Sequence, residues 1–496
     1  MRQTPGSTQV PVNVCGSSIF GRYPKISSER TYNLYLSDEW LINNAGYEKI
    51  LIISPVGEGR GIFRSIRGGF MIVVVNATVY SISNLFSVTI IGTIATSKGE
   101  VFIDENLNQQ IAIVDGVNMW IYNYSLGFPN LTVQVVPPAL IPNYVVYHNT
   151  FFLVGNGNTT TSGSPWYAFV FTAPTTVGTS AANTFTLQTK PDYPIAVVRL
   201  PGQASNVLVF GTSVCEVYTN VGGLQNYRRN NTINIDYGCI SISTIATSDK
   251  FVAWLAANEN NAPVIMVFTG QGYQPISSDG IDYVLGQIKF PGQSTAMFRR
   301  DDGHLFYQLT FYNPADNITL TYDFTTEKFF DLTDHYENYH PARNYVYFMG
   351  NTYFISLKNG SIYQSSTNFT TYNESIGSVD PTQNLIIPRS RVTNTVRHPD
   401  TSRFIANSLV LMIDQGNDPG FISLPSSYVP RVDLTISEDE GITWSNTVSR
   451  DLNPIGHRRN QLTWEKMGES NSLTFKFRFW STSSVIVNNA VLDIYS

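Results

Sequence analysis

The sequence predicts an all-β chain, a β-propeller of six or seven blades followed by a C-terminal β-sandwich-like domain. Three observations lead there. Charged residues make up only 14% of the 496 positions, against roughly 25% in average soluble domains. Aromatic residues reach 13%, with 28 Tyr and 29 Phe, and Thr, Tyr, Val and Ile suit strand faces, whereas helices cover their solvent face with Glu, Lys and Arg. Short apolar or alternating runs recur along the chain between Gly, Asn, Asp and Pro, which is the pattern of hairpins.

The runs follow in order. Phe70 to Ser83 and Ile111 to Tyr124 each read as two strands around a tight turn, the second with Asp115–Gly116 at its tip. Val207 to Tyr218 and Phe251 to Phe268 repeat the plan, Leu305 to Leu332 holds two hairpins, and Tyr345 to Tyr363 continues it. Their spacing of roughly 30 to 60 residues is blade-like. A single sandwich would use about seven strands in ~100 residues. Here the texture persists much further, so radial repetition is the economical way to dispose of sheet edges. Gly280 to Ile288 allows two turns of helix at most. Residues 1–30 read as an N-terminal arm, 31–370 as the propeller, 371–403, with Pro381, Pro388 and Pro399, as a connector, and 404–496 as the closing β domain. In that last part Ser408 to Ile413, Arg431 to Ser437 and Leu473 to Trp480 are strands, with a final run ending at Tyr495 and Ser496.

The formal charge is −6, without an acidic or basic block, which argues against a protein that grips duplex DNA through phosphate neutralisation. Arg60, Arg64 and Arg67, then Arg228 and Arg229, Arg299 and Arg300, and Arg458 and Arg459 form small clusters that read as solvated loops. Cys15, Cys215 and Cys239 are odd in number and far apart, so they specify neither a disulfide framework nor a zinc site, and reduced cytosolic synthesis is expected. The first residues lack a secretion pattern, and no apolar run approaches the ~20 residues of a membrane span. Sequons such as those at Asn76, Asn130 and Asn317 are expected by chance in so Asn- and Thr-rich a chain.

Motifs with chemical meaning are few. Ser437-x-Asp439-x-Gly441-x-Thr443-Trp444 fits an Asp-box pattern, in which Ser and Asp side chains satisfy the donors of a tight turn and Trp packs under it. Sialidase propellers carry several such boxes, together with an arginine triad and a Tyr–Glu nucleophile pair, whereas this chain has one clear copy. Asp334, His335, Tyr336, Glu337 and His340 place potential metal ligands close together, but without an i, i+4 His pair, and they read as a loop. Gly155-Asn156-Gly157 and Gly57 to Gly61 lack the following helix that a phosphate cradle requires and read as turns. Asp115, Asp236 and Asp323 lie at strand ends and are assigned to turns. No catalytic, cofactor-binding or metal residue is expected.

The wording of these strands resembles a known family. GRGIFRSIRGGF from Gly59 to Phe70, the stretch from Gly92 to Tyr124, FGTSVCEVYTNVG from Phe210 to Gly222, DYGC from Asp236 to Cys239 and the strand at Trp254 look like blade sequences of the tail-hub, or packaged-DNA-stabilisation, proteins of short-tailed bacteriophages. SEDEGITW from Ser437, RDLNPIG from Arg450 and KFRFW ending at Trp480 resemble the family's closing domain. The first 20 residues and Thr367 to Arg403 carry none of its wording. The resemblance implies a non-enzymatic virion protein, made in the host cytoplasm and built into the tail hub or nozzle below the portal and adaptor. It further implies a homohexamer that seals packaged DNA, forms part of the ejection channel, and contacts a tailspike or tail fibre and a tail needle or plug. Double-stranded DNA would pass without sequence-specific binding, and six copies at −6 each carry −36. The competing readings are a glycan-binding or sialidase-like propeller and a receptor-binding tail protein.

Overall fold

The computed structural model describes residues 7–21, 29–126, 131–160, 163–170, 183–223, 225–260, 262–376, 384–398, 400, 402–416, 429–452 and 459–495. Among these, strands dominate. The α-helix Asp279–Gln287 falls where the sequence allows one: Ser278 caps it by accepting from the Ile281 N–H, and Asp279 and Asp282 lie in its first turn. Both placements favour a helix N-terminus.

Seven antiparallel sheet units follow one another among the described residues. Blade 1 spans Gly59–Arg64, Met71–Val75, Thr78–Ile82 and Val88–Thr93, and blade 2 spans Phe102–Glu105, Gln110–Val114, Met119–Asn123 and Leu131–Gln134. Blade 3 runs from Pro142–His148 to Asn183–Phe185, and blade 4 from Ala196–Arg199 to Tyr227–Ile235. Blade 5 is built on Val252–Ala257 and Pro263–Phe268. Blade 6 holds Ser294–Asp301, His304–Phe311, Ile318–Asp323 and Lys328–Asp331, and blade 7 holds Ala342–Phe348, Asn351–Ser356 and Gly360–Ser366.

The ring is legible in the cores between sheets. Ile72 and Val74 of blade 1 pack with Ile111 and Ile113 of blade 2, and Val114 and Met119 of blade 2 with Phe152 and Val154 of blade 3. The series continues through Trp166 with Val209, Phe210 with Trp254, and Ile265 with Leu309. Met297 then joins blade 6 to Phe354 and Tyr363 of blade 7. Finally Ile355 and Ile362 of blade 7 meet Ile62, Met71 and Val73 of blade 1. Each sheet thus buries both faces against neighbours, as a propeller requires. Closure is also made by strand pairing: Gly46–Ser54, which precedes blade 1, is the fourth strand of blade 7 and pairs antiparallel with Gly360–Ser366.

The C-terminal domain is a sandwich around Phe404, Leu409, Leu411, Val432, Leu434, Phe475, Phe477, Phe479 and Leu492. One sheet joins Phe404–Gln415, Arg459–Ser470 and Val485–Tyr495, and the other joins Arg431–Ser437, Val448–Asp451 and Ser472–Trp480. Alternation along Ser472–Trp480 sends Phe475, Phe477 and Phe479 inward and leaves Lys476, Arg478 and Trp480 half-buried on the outer face, the period-two consequence of strand geometry.

The expected arm and connector are corrected by these pairings. Ser7–Val12 pairs with Val485–Tyr495, and Leu34–Ser37 and Trp40–Asn43 extend the same sandwich sheet. Arg30–Tyr32 lies between Arg389–Val392 of the second sheet and Lys328–Asp331 of blade 6. Within the expected connector, Thr371–Asn373 continues blade 7, whereas Arg389–Val392 and Val396–Arg397 pair with Ser472–Trp480. These short segments have little apolar pattern of their own and gain order by completing sheet edges. Pro381, Pro399 and Ser496 lie outside the described residues.

Buried Arg391 fixes the N-terminal segment to this seam. It donates to the carbonyls of Asn13, Val14 and Ser17 and to the Glu29 carboxylate at 2.8 Å. Next to it, Ser18 Oγ donates to Asp331 Oδ2 at 2.6 Å. Burial pushes the Asp331 carboxyl up to about 6, against the lowering effects of that hydrogen bond and of Arg30. A carboxyl whose folded pKa exceeds its unfolded value favours the folded state when protonated. Stability is therefore expected to rise, by up to about 3 kcal/mol, as pH falls from about 6 towards 4. Asp331→Asn should flatten this dependence, as read by urea unfolding at each pH.

Candidate functional site

The turn motif is built as a staple. Ser437 Oγ donates to Asp439 Oδ1 at 2.7 Å and accepts from the Gly441 N–H at 2.7 Å. Asp439 also accepts from the Thr443 N–H at 2.8 Å and the Thr443 hydroxyl at 2.6 Å. Glu440 and Gly441 both take positive φ, 66° and 94°, so the chain reverses sharply enough for two side chains to satisfy three backbone donors. These bonds, led by that from the Thr443 hydroxyl, hold the Asp439 carboxyl down to about 2. Trp444 is half-buried and lines a groove, its ring centroid 5.8 Å from Lys476 Nζ. The Thr443 amide resonance is accordingly expected to titrate near pH 2 rather than in the ordinary carboxylate range.

The segment from Asp334 to His340 disperses its side chains. Asp334 Oδ1 accepts from the Tyr336 and Asn338 N–H groups, and Oδ2 takes the Lys358 ammonium at 2.5 Å. His335 Nδ1 bonds the Ile386 carbonyl, Glu337 pairs with Arg478 of the sandwich, and His340 faces Gln308 in the interior. Burial, then Arg299 and Lys358, push the His340 imidazolium well below its ordinary range. The loop works as a clasp between propeller and sandwich, and among the described residues no group of three metal-binding side chains converges.

Beside it lies a groove of about 380 Å³ lined by Tyr47, Asp334, Lys358, Tyr363 and Glu374. Tyr363 donates to Glu374 at 2.6 Å, superficially the phenol–carboxylate pair of a sialidase-like site. Burial and then the Glu374 charge raise the Tyr363 pKa far above the ordinary value, the reverse of the activation a nucleophile needs. Lys49 and Lys358 neutralise the two carboxylates at 2.8 and 2.5 Å.

Along the propeller axis, where the first strands of successive blades pack side by side, charge is gathered rather than excluded. Glu100 enters from blade 2 and accepts from Thr295 of blade 6 at 3.0 Å and Asn344 of blade 7 at 2.8 Å. Buried Arg343 donates to Glu58 at 2.6 Å and lies 4.0 Å from Glu100. Burial raises the Glu100 carboxyl, with Arg343 opposing it.

In two of the arginine clusters read as solvated loops one member is corrected, while Arg64, Arg67 and Arg300 are exposed as expected. Arg60 is buried and donates to the carbonyls of Asn76, Thr96, Lys98 and Gly99. Arg299 is likewise buried, donating to Asn44 and lying 3.0 Å from Asp301. A guanidinium offers five donors in a fixed fork, so it satisfies loop carbonyls that would otherwise be orphaned. Arg458 and residues 453–456 lie outside the described residues. Asp115 staples its turn through the Val117 and Asn118 N–H groups and reaches Ala95 of the preceding loop. Asp323 accepts from the Thr325 N–H, whereas Asp236 is ion-paired with Lys190 at 3.4 Å.

Replacing Glu100 by Leu removes the acceptor of the Thr295 hydroxyl and the Asn344 amide while Arg343 keeps Glu58, and should cost about 1–3 kcal/mol. The urea midpoint of E100L, compared with the milder E100Q, measures this.

Two family models match in chain order: "Bacteriophage P22 Gp10, beta-propeller" over residues 37–369 and "Bacteriophage P22 Gp10, beta-sandwich" over residues 389–494. No curated protein sequence matches the chain. Among solved structures, a streptogramin B lyase is similar at 11% identity and TM-score 0.42, covering 65% of this chain and 97% of that one. A virginiamycin B lyase from Staphylococcus aureus gives 11% and 0.44, covering 65% and 99%. The WD40 propeller domain of Doa1 gives 8% and 0.38, covering 65% and 97%. None of the three carries an argument about activity. The two family matches take in the ring of sheets and the sandwich alike, and the chain belongs to the bacteriophage P22 Gp10 family of packaged-DNA-stabilisation proteins.

Proposed function

We propose that the chain is a non-enzymatic structural component of a short-tailed phage virion, forming the tail hub or nozzle below the portal and adaptor. In this reading it assembles as a homohexamer, retains packaged DNA in the head, borders the ejection channel, and supports a tailspike or fibre and a needle or plug. The observation that carries it is the collinear family match across both domains. The build supports it physically. Every blade is locked between two others, and the clasp of Glu337 on Arg478 joins the ring to the sandwich, giving a stiff unit suited to bearing load at interfaces.

The axis of each propeller is occupied by Glu58, Arg343 and Glu100. A duplex would therefore run past the subunits rather than through one. The net charge of −6 disfavours the multiple phosphate contacts that would make passage salt-dependent. Purified chain mixed with a portal–adaptor complex is expected to add a sixfold ring in cryo-electron micrographs. Absence of any added density would overturn the assembly reading.

A further inference from the structure

A second groove, of about 450 Å³, opens on the outer face of the sandwich where it meets the propeller. That volume lies within the range of small-ligand sites. Its floor is three adjacent strands whose registers set two cross-strand rows. Lys476, Val392 and Arg30 form one, and Arg478, Ser390 and Tyr32 the other. Trp444 walls one end, and Thr333 and Glu337 of the propeller clasp wall the other.

Its electrostatics differ from those of the groove beside Tyr363. There each ammonium has its carboxylate. Here Arg30, Lys476 and Arg478 face one carboxylate, Glu337, which is taken by Arg478. Arg30 spends one nitrogen on the carbonyls of Ile19 and Glu29. Lys476 has no carboxylate partner among the described residues; its ammonium lies over the Trp444 ring. An ammonium against an indole face, beside an apolar floor patch at Val392, offers charge, stacking area and hydrogen bonds together. Strand spacing of about 4.8 Å places the Lys476 and Arg30 backbones roughly 10 Å apart, and the Arg30 guanidinium is turned onto the Phe20 ring and the Ile19 and Glu29 carbonyls, away from a joint grip with Lys476 on one small anion.

An extended acidic peptide fits poorly. The floor is a sheet face whose backbone groups are already paired, so strand addition is closed. We propose that this groove binds a carboxylate-bearing pyranose, an acidic sugar unit of a glycan, with Lys476 taking the carboxylate. Trp444 and Tyr32 supply ring faces, and Ser390, Arg30 and the Arg478–Glu337 pair exchange hydrogen bonds with the hydroxyls.

The test is a ligand-observed NMR titration of the full chain with tetragalacturonate, maltotetraose, inorganic phosphate and tetraglutamate. Tetragalacturonate should bind, with maltotetraose weaker by about tenfold, the worth of one charge-assisted contact. Lys476→Met should weaken tetragalacturonate by a similar factor, and Trp444→Leu should remove saturation transfer to the sugar ring protons. Both side chains lie outside the hydrophobic cores, and an unchanged melting temperature of each variant confirms that the loss is local. Failure to bind tetragalacturonate, equal binding of phosphate or tetraglutamate, or wild-type affinity in both variants would overturn the proposal. A chain that fails here yet forms rings on the portal–adaptor complex loses this site and keeps its assembly role.

Discussion

The structure depends on one long-range strand pairing, that of Gly46–Ser54 with Gly360–Ser366. A propeller left open would expose two sheet faces and a free edge, and its blades would hold only through nearest-neighbour cores. Joining segments some three hundred residues apart costs entropy that grows only logarithmically with loop length, whereas closure completes the Ile355–Val73 core and puts every blade between two others. The same N-terminal stretch has already contributed Arg30–Tyr32 to the seam and Leu34–Ser37 to the sandwich. Ring closure and domain attachment are thus one constraint.

A chain this poor in charge spends much of what it has inside. Arg60, Arg343, Arg389 and Arg391 are among its largest fully buried side chains. Carboxylates act as joints between neighbouring segments. Asp104 of blade 2 accepts from the Tyr147 N–H of blade 3, and Glu216 of blade 4 holds the Gln188 and Thr189 N–H groups ahead of it. Asp192 binds the turn at Thr212 to Val214 through five donors. Irregular loops between blades carry backbone groups with no sheet partner, and buried polar groups must be satisfied. Ionised side chains do this over several donors at once, which explains how a low charge content coexists with internal ion pairs.

Local features were legible in the sequence. The turn at Asp115–Gly116, the strand pairs around it, the helix near Gly280 and the Ser437–Asp439 staple are each determined by residues within a few positions of one another. Features assembled over distance were not. GYEKILIIS, which closes the ring, reads like any strand, because nothing in its pattern names Gly360–Ser366 as partner. Arg60 and Arg299 look like surface charges until the loop carbonyls and side chains around them are in place. The acidic-sugar groove draws on residues 30–32, 333–337, 388–392, 441–444 and 476–478, and only the fold brings these into one wall and floor.

The strand Ser7–Val12 has a consequence for synthesis. Its partner, Val485–Tyr495, lies far downstream in the chain, and the ring-closing strand must likewise wait until Gly360–Ser366 emerges. Early-made segments therefore spend most of translation as unpaired edges, exposed to the wrong neighbours. Folding is held back in two stages, the disc closing once Gly360–Ser366 is made and the sandwich only with Val485–Tyr495, so a chain ending between the two keeps its ring-closing pair and lacks a finished sandwich.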